Sequence, residues 1–155
     1  MADDDLQSRS DEIARMAQGR SVRIATAESL TSGALASALG RGEEASEWFA
    51  GGVVAYAESV KRDVLGVTAG SVLTAQCARE LATGAARLLD ADVAVAVTGV
   101  GGPDPEEGLP PGTVYAAVCV GDEVTDATWR FDGDPSAIVE QTVMAALGLV
   151  RRALR

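Results

Sequence analysis

The chain has 155 residues, 47% hydrophobic and only 4% aromatic, with a formal net charge of −10, twelve arginines, one lysine and no histidine. This length suits one domain, residues 1–155, whose core is built on small and branched side chains. The acidic balance argues against a nucleic-acid partner, and the missing histidines rule out a Ser-His-Asp triad. Two distant cysteines, Cys77 and Cys119, supply neither a disulfide framework nor a metal site, so no metal is expected.

The first segment, "DDDLQSRSDEIARMAQG", reads as an amphipathic helix with Leu6, Ile13, Met16 and Ala17 inward and acids at its start. With "MA" before it, this beginning resembles neither a secretory signal nor a transit peptide. No apolar run reaches membrane-spanning length, so a cytoplasmic protein without a membrane partner is expected. "SVRIATAES" reads as a strand, "LTSGALASALG" as a helix closed by Gly40, "AGGVVAYA" as a second strand and "ESVKRDVLG" as a short helix ended by Gly66. Trp48 and Phe49, just before the second strand, suit either a contact surface or the core. "TAQCARELATGAARLLD" is a long helix with Thr74 as N-cap, and "ADVAVAVTG" is apolar enough to be buried on both faces. After the Gly- and Pro-rich loop "VGGPDPEEGLPPG", "TVYAAVCV" and "EVTDATWRF" pair through a turn at Gly121-Asp122. The last helix, "GDPSAIVEQTVMAALGLVRRAL", is capped by Asp134, opens on Pro135 and carries Arg151, Arg152 and Arg155 at its end. The alternation predicts an α/β fold: a three-layer α/β/α sandwich with a mixed, mostly parallel sheet and a C-terminal strand hairpin followed by a helix.

Without histidine, a serine that attacks a carbonyl must pass its proton to lysine, tyrosine or a carboxylate. Lys61 is the only lysine, and a lysine acts as a base only when burial or positive neighbours lower its pKa, a role closed to arginine. The spacing predicts Lys61 in the first turn of the short helix, beside Arg62, where the helix dipole disfavours an ammonium. Position alone leaves a catalytic lysine and a solvated surface lysine equally open. Tyr56, five residues upstream at a strand end, could share a pocket with Lys61 or could be a core tyrosine. In "TAESLTSG", Ser29 stands at a strand-to-helix turn, with the N–H groups of Leu30, Thr31 and Ser32 expected to face a ligand near Gly33. A plain N-cap serine reads equally well. "TGVGGPDP" brings Thr98, Gly99, Gly101, Gly102 and Pro103 to the end of the most apolar strand, where backbone could approach a ligand or simply turn. It does not fit a dinucleotide fingerprint, and Asp104, Glu106 and Glu107 read as solvated acids.

In order, "TAESLTSG", "GGVVAYAESVK", "TGVGGPD", "PPGTVYAAV" and "FDGDP" resemble the C-terminal domain of the competence/damage-inducible protein CinA, found alone as nicotinamide-nucleotide amidohydrolases. The resemblance covers roughly residues 5–154. It implies deamidation of nicotinamide mononucleotide to nicotinic acid mononucleotide and ammonia, with Ser29 as nucleophile helped by Tyr56 and Lys61, and no cofactor. Leu30, Thr31, Ser32, Gly33, Thr98, Gly99, Gly101, Gly102 and Pro103 would hold the small-molecule nucleotide, and a homodimer is implied. The chain departs from the pattern at Leu30 and Ser32, where the family usually has Cys and Gly. It departs again at Pro135 and Val139, where the family commonly has Arg. The last two changes bear on how a phosphate would be held. They also keep open a non-catalytic binding module, or an amidase for another small amide.

Overall fold

A computed structural model describes residues 3–155. In chain order its elements are α1 (Asp3–Arg20), β1 (Ile24–Glu28), α2 (Ala34–Gly40), α3 (Ala45–Trp48), β2 (Phe49–Val54) and α4 (Glu58–Asp63). Then come α5 (Ala75–Leu88), β3 (Val93–Gly99), β4 (Thr113–Val120), β5 (Glu123–Arg130) and α6 (Pro135–Ala153). The strands form one sheet in the order β2-β1-β3-β4-β5. The first three run parallel, and β4 and β5 continue it antiparallel as a hairpin. This is the expected mixed sheet, with its parallel part formed early in the chain.

The sequence of β3 shows how the layers form. Alternation along a strand sends Val93, Val95 and Val97 to one face and Ala94 and Ala96 to the other. The valine face, with Ile24, Val114, Ala116 and Val118, packs against α1, α2 and α6. The alanine face, with Ala25, Ala27 and Ala117, packs against α5 through Ala78, Leu81, Ala82 and Ala85. Each fully buried valine stabilises the fold by about 1.5–3 kcal/mol. Alanines contribute less area but let α5 approach closely.

Most of the element reading holds. Thr74 caps α5 by accepting from the Cys77 amide at 3.1 Å, and Asp134 caps α6 by accepting from Ala137 at 2.8 Å. Leu6, Ile13 and Ala17 are buried under α1, with Met16 packed beside them. Trp48 is buried at 1% exposure and its ring N–H donates to the Glu43 carbonyl at 3.0 Å, so this aromatic belongs to the core. Several boundaries move by up to three residues, and two differences have a clear cause. The one-turn helix α3 replaces a segment with no expected element, because four residues carry too little periodicity to read. Helix α2 begins at Ala34 rather than at Leu30, for a reason that lies in Glu28.

Candidate active site

Parallel β2, β1 and β3 bring their carboxyl ends to one edge of the sheet. Beyond β1 the chain first crosses to β2 on one side, and later to β3 on the other. Ligand sites in α/β sheets gather at such a switch point. The Ala55 amide donates to the Glu28 carbonyl at 2.7 Å, which ties the residues after β2 to the end of β1.

Glu28, the last residue of β1, is fully buried. One oxygen of its carboxylate accepts from the Thr31 hydroxyl at 2.6 Å, the Gly33 amide at 3.2 Å and the Leu35 amide at 2.8 Å. The other accepts from the Ala36 amide at 2.9 Å. A helix start leaves its first amides without partners, and this carboxylate fills that role from the preceding strand. To aim those amides at Glu28 the chain places two consecutive residues at positive φ, Ser32 at 51° and Gly33 at 101°. Glycine accepts that conformation freely, whereas serine strains by about 1–2 kcal/mol. Residues 30–33 are therefore a turn, and α2 starts only after it. Sequence reading offered a plain N-cap serine as one alternative here and missed Glu28. The available signal was an acid at the strand end, three residues before Thr31.

Ser29 follows at 8% exposure and lines a cavity of about 390 Å³ together with Tyr56 and Lys61. Lys61 is 3% exposed, and its Nζ donates to the Tyr56 carbonyl at 3.0 Å. Burial pulls its pKa below the ordinary 10.5, although Cys77, Glu58 and Glu106 nearby oppose this. The expected cause was different. Lys61 is the fourth of six helical residues and lies in the last turn of α4, so the N-terminal dipole does not act on it. Arg62 does not add to the effect either. Its guanidinium bonds Glu58 at 3.1 Å and the carbonyls of Ala69 at 2.8 Å and Gly70 at 3.3 Å. The Tyr56 side chain is 67% exposed at the cavity rim, so it is not a core tyrosine.

Leu30, Gly99, Gly101 and Gly102 also line the cavity. Gly99 is required by packing: a Cβ there would stand 2.5 Å from the Thr113 carbonyl oxygen. Other residues expected at the ligand stand elsewhere. Thr98 is fully buried and its hydroxyl donates to the Val72 carbonyl at 2.9 Å, which holds the loop that brings Val72 and Leu73 to the cavity wall. The Thr31 hydroxyl and the Gly33 amide belong to the Glu28 cap. The Ser32 amide, expected to be free, donates to the Ser29 carbonyl at 3.1 Å. Ser32, Thr31, Gly33 and Pro103 are not among the lining residues, whereas Glu58, Glu106 and Glu107 are. Among the described residues no group of three or more His, Cys, Asp or Glu side chains could hold a metal ion. No helix among them is long and apolar enough to cross a membrane.

This architecture is shared with known proteins. The profile described as CinA C-terminal domain matches residues 6–154. The chain is 43% identical over 152 residues to a CinA-like protein of Mycolicibacterium vanbaalenii, covering 93% of this chain and 35% of that protein. It is 37% identical over 132 residues to protein YdeJ of Escherichia coli, covering 81% of this chain and 77% of that protein. Among solved structures, a competence-damaged protein (CinA) superfamily protein of Klebsiella pneumoniae superposes with a TM-score of 0.92 at 34% identity. That match covers 96% of this chain and 97% of the other. The chain spans about a third of the length of several curated relatives, including those of Mycolicibacterium, Bacillus and Levilactobacillus.

Proposed function

The chain belongs to the CinA C-terminal domain family, and from that premise we propose that it is a serine-type amidohydrolase that deamidates nicotinamide mononucleotide. The observation that carries this reading is the sharing of one cavity by Ser29 and a buried lysine whose proton affinity is lowered. Neutral Lys61 takes the Ser29 hydroxyl proton as Oγ attacks the carboxamide carbon. The amides of Leu30 and Thr31, at the turn that carries Ser29, stabilise the oxyanion. Lys61 returns the proton to the leaving nitrogen, ammonia departs and an ester to Ser29 remains. Water then attacks that ester while Lys61 accepts its proton, and the acid and free Ser29 are released. Tyr56 orients the substrate at the rim, and its carbonyl holds the lysine in place. The chemistry needs no cofactor. A homodimer and a cytoplasmic setting complete the proposal.

A second reading, an amidase for another small amide or a binding module of the same fold, is favoured by one observation. No arginine lines the cavity among the described residues. The test is ammonia release from nicotinamide mononucleotide by the wild type, Ser29→Ala and Lys61→Ala. Turnover in the wild type that both changes reduce by about 10²–10⁴-fold supports the amidohydrolase. Nucleotide binding without turnover would favour the binding module.

A further inference from the structure

The residue before Ser29 does more than cap a helix, on the premise that Ser29 is the nucleophile. From Ser32 to Ser37 every backbone N–H has an acceptor. Ser32 donates to the Ser29 carbonyl at 3.1 Å, Ala34 to that of Thr31 at 2.9 Å and Ser37 to that of Gly33 at 2.9 Å. The other three, Gly33, Leu35 and Ala36, all end on the Glu28 carboxylate. Within this stretch, and among the described residues, the two amides left without an acceptor are those of Leu30 and Thr31. They directly follow Ser29, both residues are buried, and Leu30 lines the same cavity as Ser29. Buried N–H groups are seldom left unpaired, so two of them beside a nucleophile call for a role. The Thr31 hydroxyl is itself tied to the carboxylate at 2.6 Å, so Glu28 holds the residue that carries one of these amides as well as the far side of the turn. Glu28 is fully buried and is not among the residues that line the cavity, so it acts through its neighbours rather than on a substrate.

We propose that Glu28 is a positioning residue for catalysis. By gathering the donors on the far side of the turn, it holds the Leu30 and Thr31 amides unpaired and in place for the oxyanion that forms when Ser29 attacks. The turn takes a strained path to do this, with Ser32 held at a φ of 51°. Such strain persists only where surrounding bonds over-determine it, and it concentrates at functional sites. Weakening the carboxylate lets the turn relax and the two amides shift, and a displacement of about 1 Å costs about 10²-fold in rate.

The experiment compares the wild-type chain with Glu28→Gln and Thr31→Val. The first replaces one acceptor oxygen by a donor. The second removes the hydroxyl bond and leaves the three amide bonds to Glu28. Circular dichroism and urea unfolding establish that each chain is folded where its rates are taken. One readout is ammonia release from nicotinamide mononucleotide. The other is the rate at which a fluorophosphonate labels Ser29, followed by mass spectrometry. In that labelling the Oγ–P bond forms, the P–F bond breaks, fluoride leaves and the Ser29 proton passes to Lys61. The phosphoryl oxygen stands in for the oxyanion, so this rate does not depend on which amide the chain prefers. For folded Glu28→Gln we expect kcat to fall by about 10²-fold with KM unchanged, the pattern of an interaction made only in the transition state, and labelling to slow in parallel. Thr31→Val should give the same pattern at about tenfold. A merely structural role would lower the urea midpoint and leave both rates of the folded chain at the wild-type level. That result in either folded variant would overturn the proposal, and so would a rise in KM with kcat unchanged. If Glu28→Gln does not fold, Thr31→Val alone decides. A wild-type chain that releases no ammonia yet is labelled at Ser29 refutes the substrate, and the labelling rates then decide the role of Glu28. A wild-type chain that does neither refutes Ser29 as nucleophile, and the proposal falls with it.

Discussion

Two ionisable side chains are buried near the carboxyl ends of neighbouring strands, and the fold treats them in opposite ways. Around Glu28, in the β1–α2 turn, every contact satisfies charge: four donors converge on one carboxylate. Around Lys61, on α4, Nζ donates to a single backbone carbonyl, that of Tyr56. A buried charge with a full set of hydrogen bonds is a structural element. A buried amine with few partners sheds its proton more readily and can do chemistry. The difference teaches that burial alone does not mark a reactive group: a fully bonded carboxylate holds the turn, whereas an amine with few partners at a cavity is the candidate for chemistry.

The largest effect that would test this contrast is expected at Glu28. Replacing it with Ala removes the acceptor for Leu35, Ala36, Gly33 and Thr31, and should destabilise the chain by about 3–5 kcal/mol in urea unfolding. A loss below about 1 kcal/mol would mean that the capping network is dispensable, and the contrast with Lys61 would collapse. Lys61→Met should behave differently. It should lower ammonia release by about 10²–10⁴-fold while changing stability by less than about 1 kcal/mol, or raising it, since a buried polar amine is replaced by an apolar chain of similar size. A stability loss as large as that of Glu28→Ala would make Lys61 a structural residue.

Alkaline pH sharpens the contrast further. The folded chain gives up the Lys61 proton at a lower pH than the unfolded chain does, near 10.5. Between those two values the unfolded state binds more protons, so this group makes stability rise with pH. Lys61→Met should lack that rise. Cys77, beside Lys61, works in the opposite direction. Burial pushes its thiol from 9.0 up to about 11, so the folded state holds the extra proton, and stability falls as pH climbs through that window. Cys77→Ala should remove that fall. Urea midpoints measured from pH 8 to about 11 on wild type and both variants separate the two contributions.

The smallest effect belongs to Glu80, a half-buried carboxylate on α5. Slight burial would raise its pKa, but bonds from the Thr68 hydroxyl at 2.6 Å and the Thr68 and Ala69 amides outweigh this and lower it. Its stabilisation is present above the ordinary 4.5 and is lost as pH falls through the lower folded value. Glu80→Gln should cost no more than about 1 kcal/mol at pH 7 and flatten that acid limb in thermal unfolding. A cost like that of Glu28→Ala would show that depth of burial does not set the scale of these networks.

Much of this protein was legible in its sequence because the relevant signals are local. The nearly continuous apolar run of "ADVAVAVTG" marked a strand buried on both faces, Thr74 and Asp134 marked helix starts, and Gly121-Asp122 marked the hairpin turn. The absence of histidine and the presence of a single lysine directed attention to Ser29 and Lys61, which the fold then placed at one cavity. What the sequence could not decide depends on residues far apart in the chain. The late start of α2 follows from a carboxylate on the preceding strand, and only the folded turn shows Glu28 reaching Ala36. The lowered proton affinity of Lys61 comes from burial in the folded chain, not from its place in a helix, which spacing had set a turn too early. The acidic rim joins Glu58 to Glu106 and Glu107, nearly fifty residues away. Composition and periodicity fix which elements form, because those depend on neighbours in sequence. Solvation and charge at the site depend on what tertiary packing brings alongside, and there the structure alone decides.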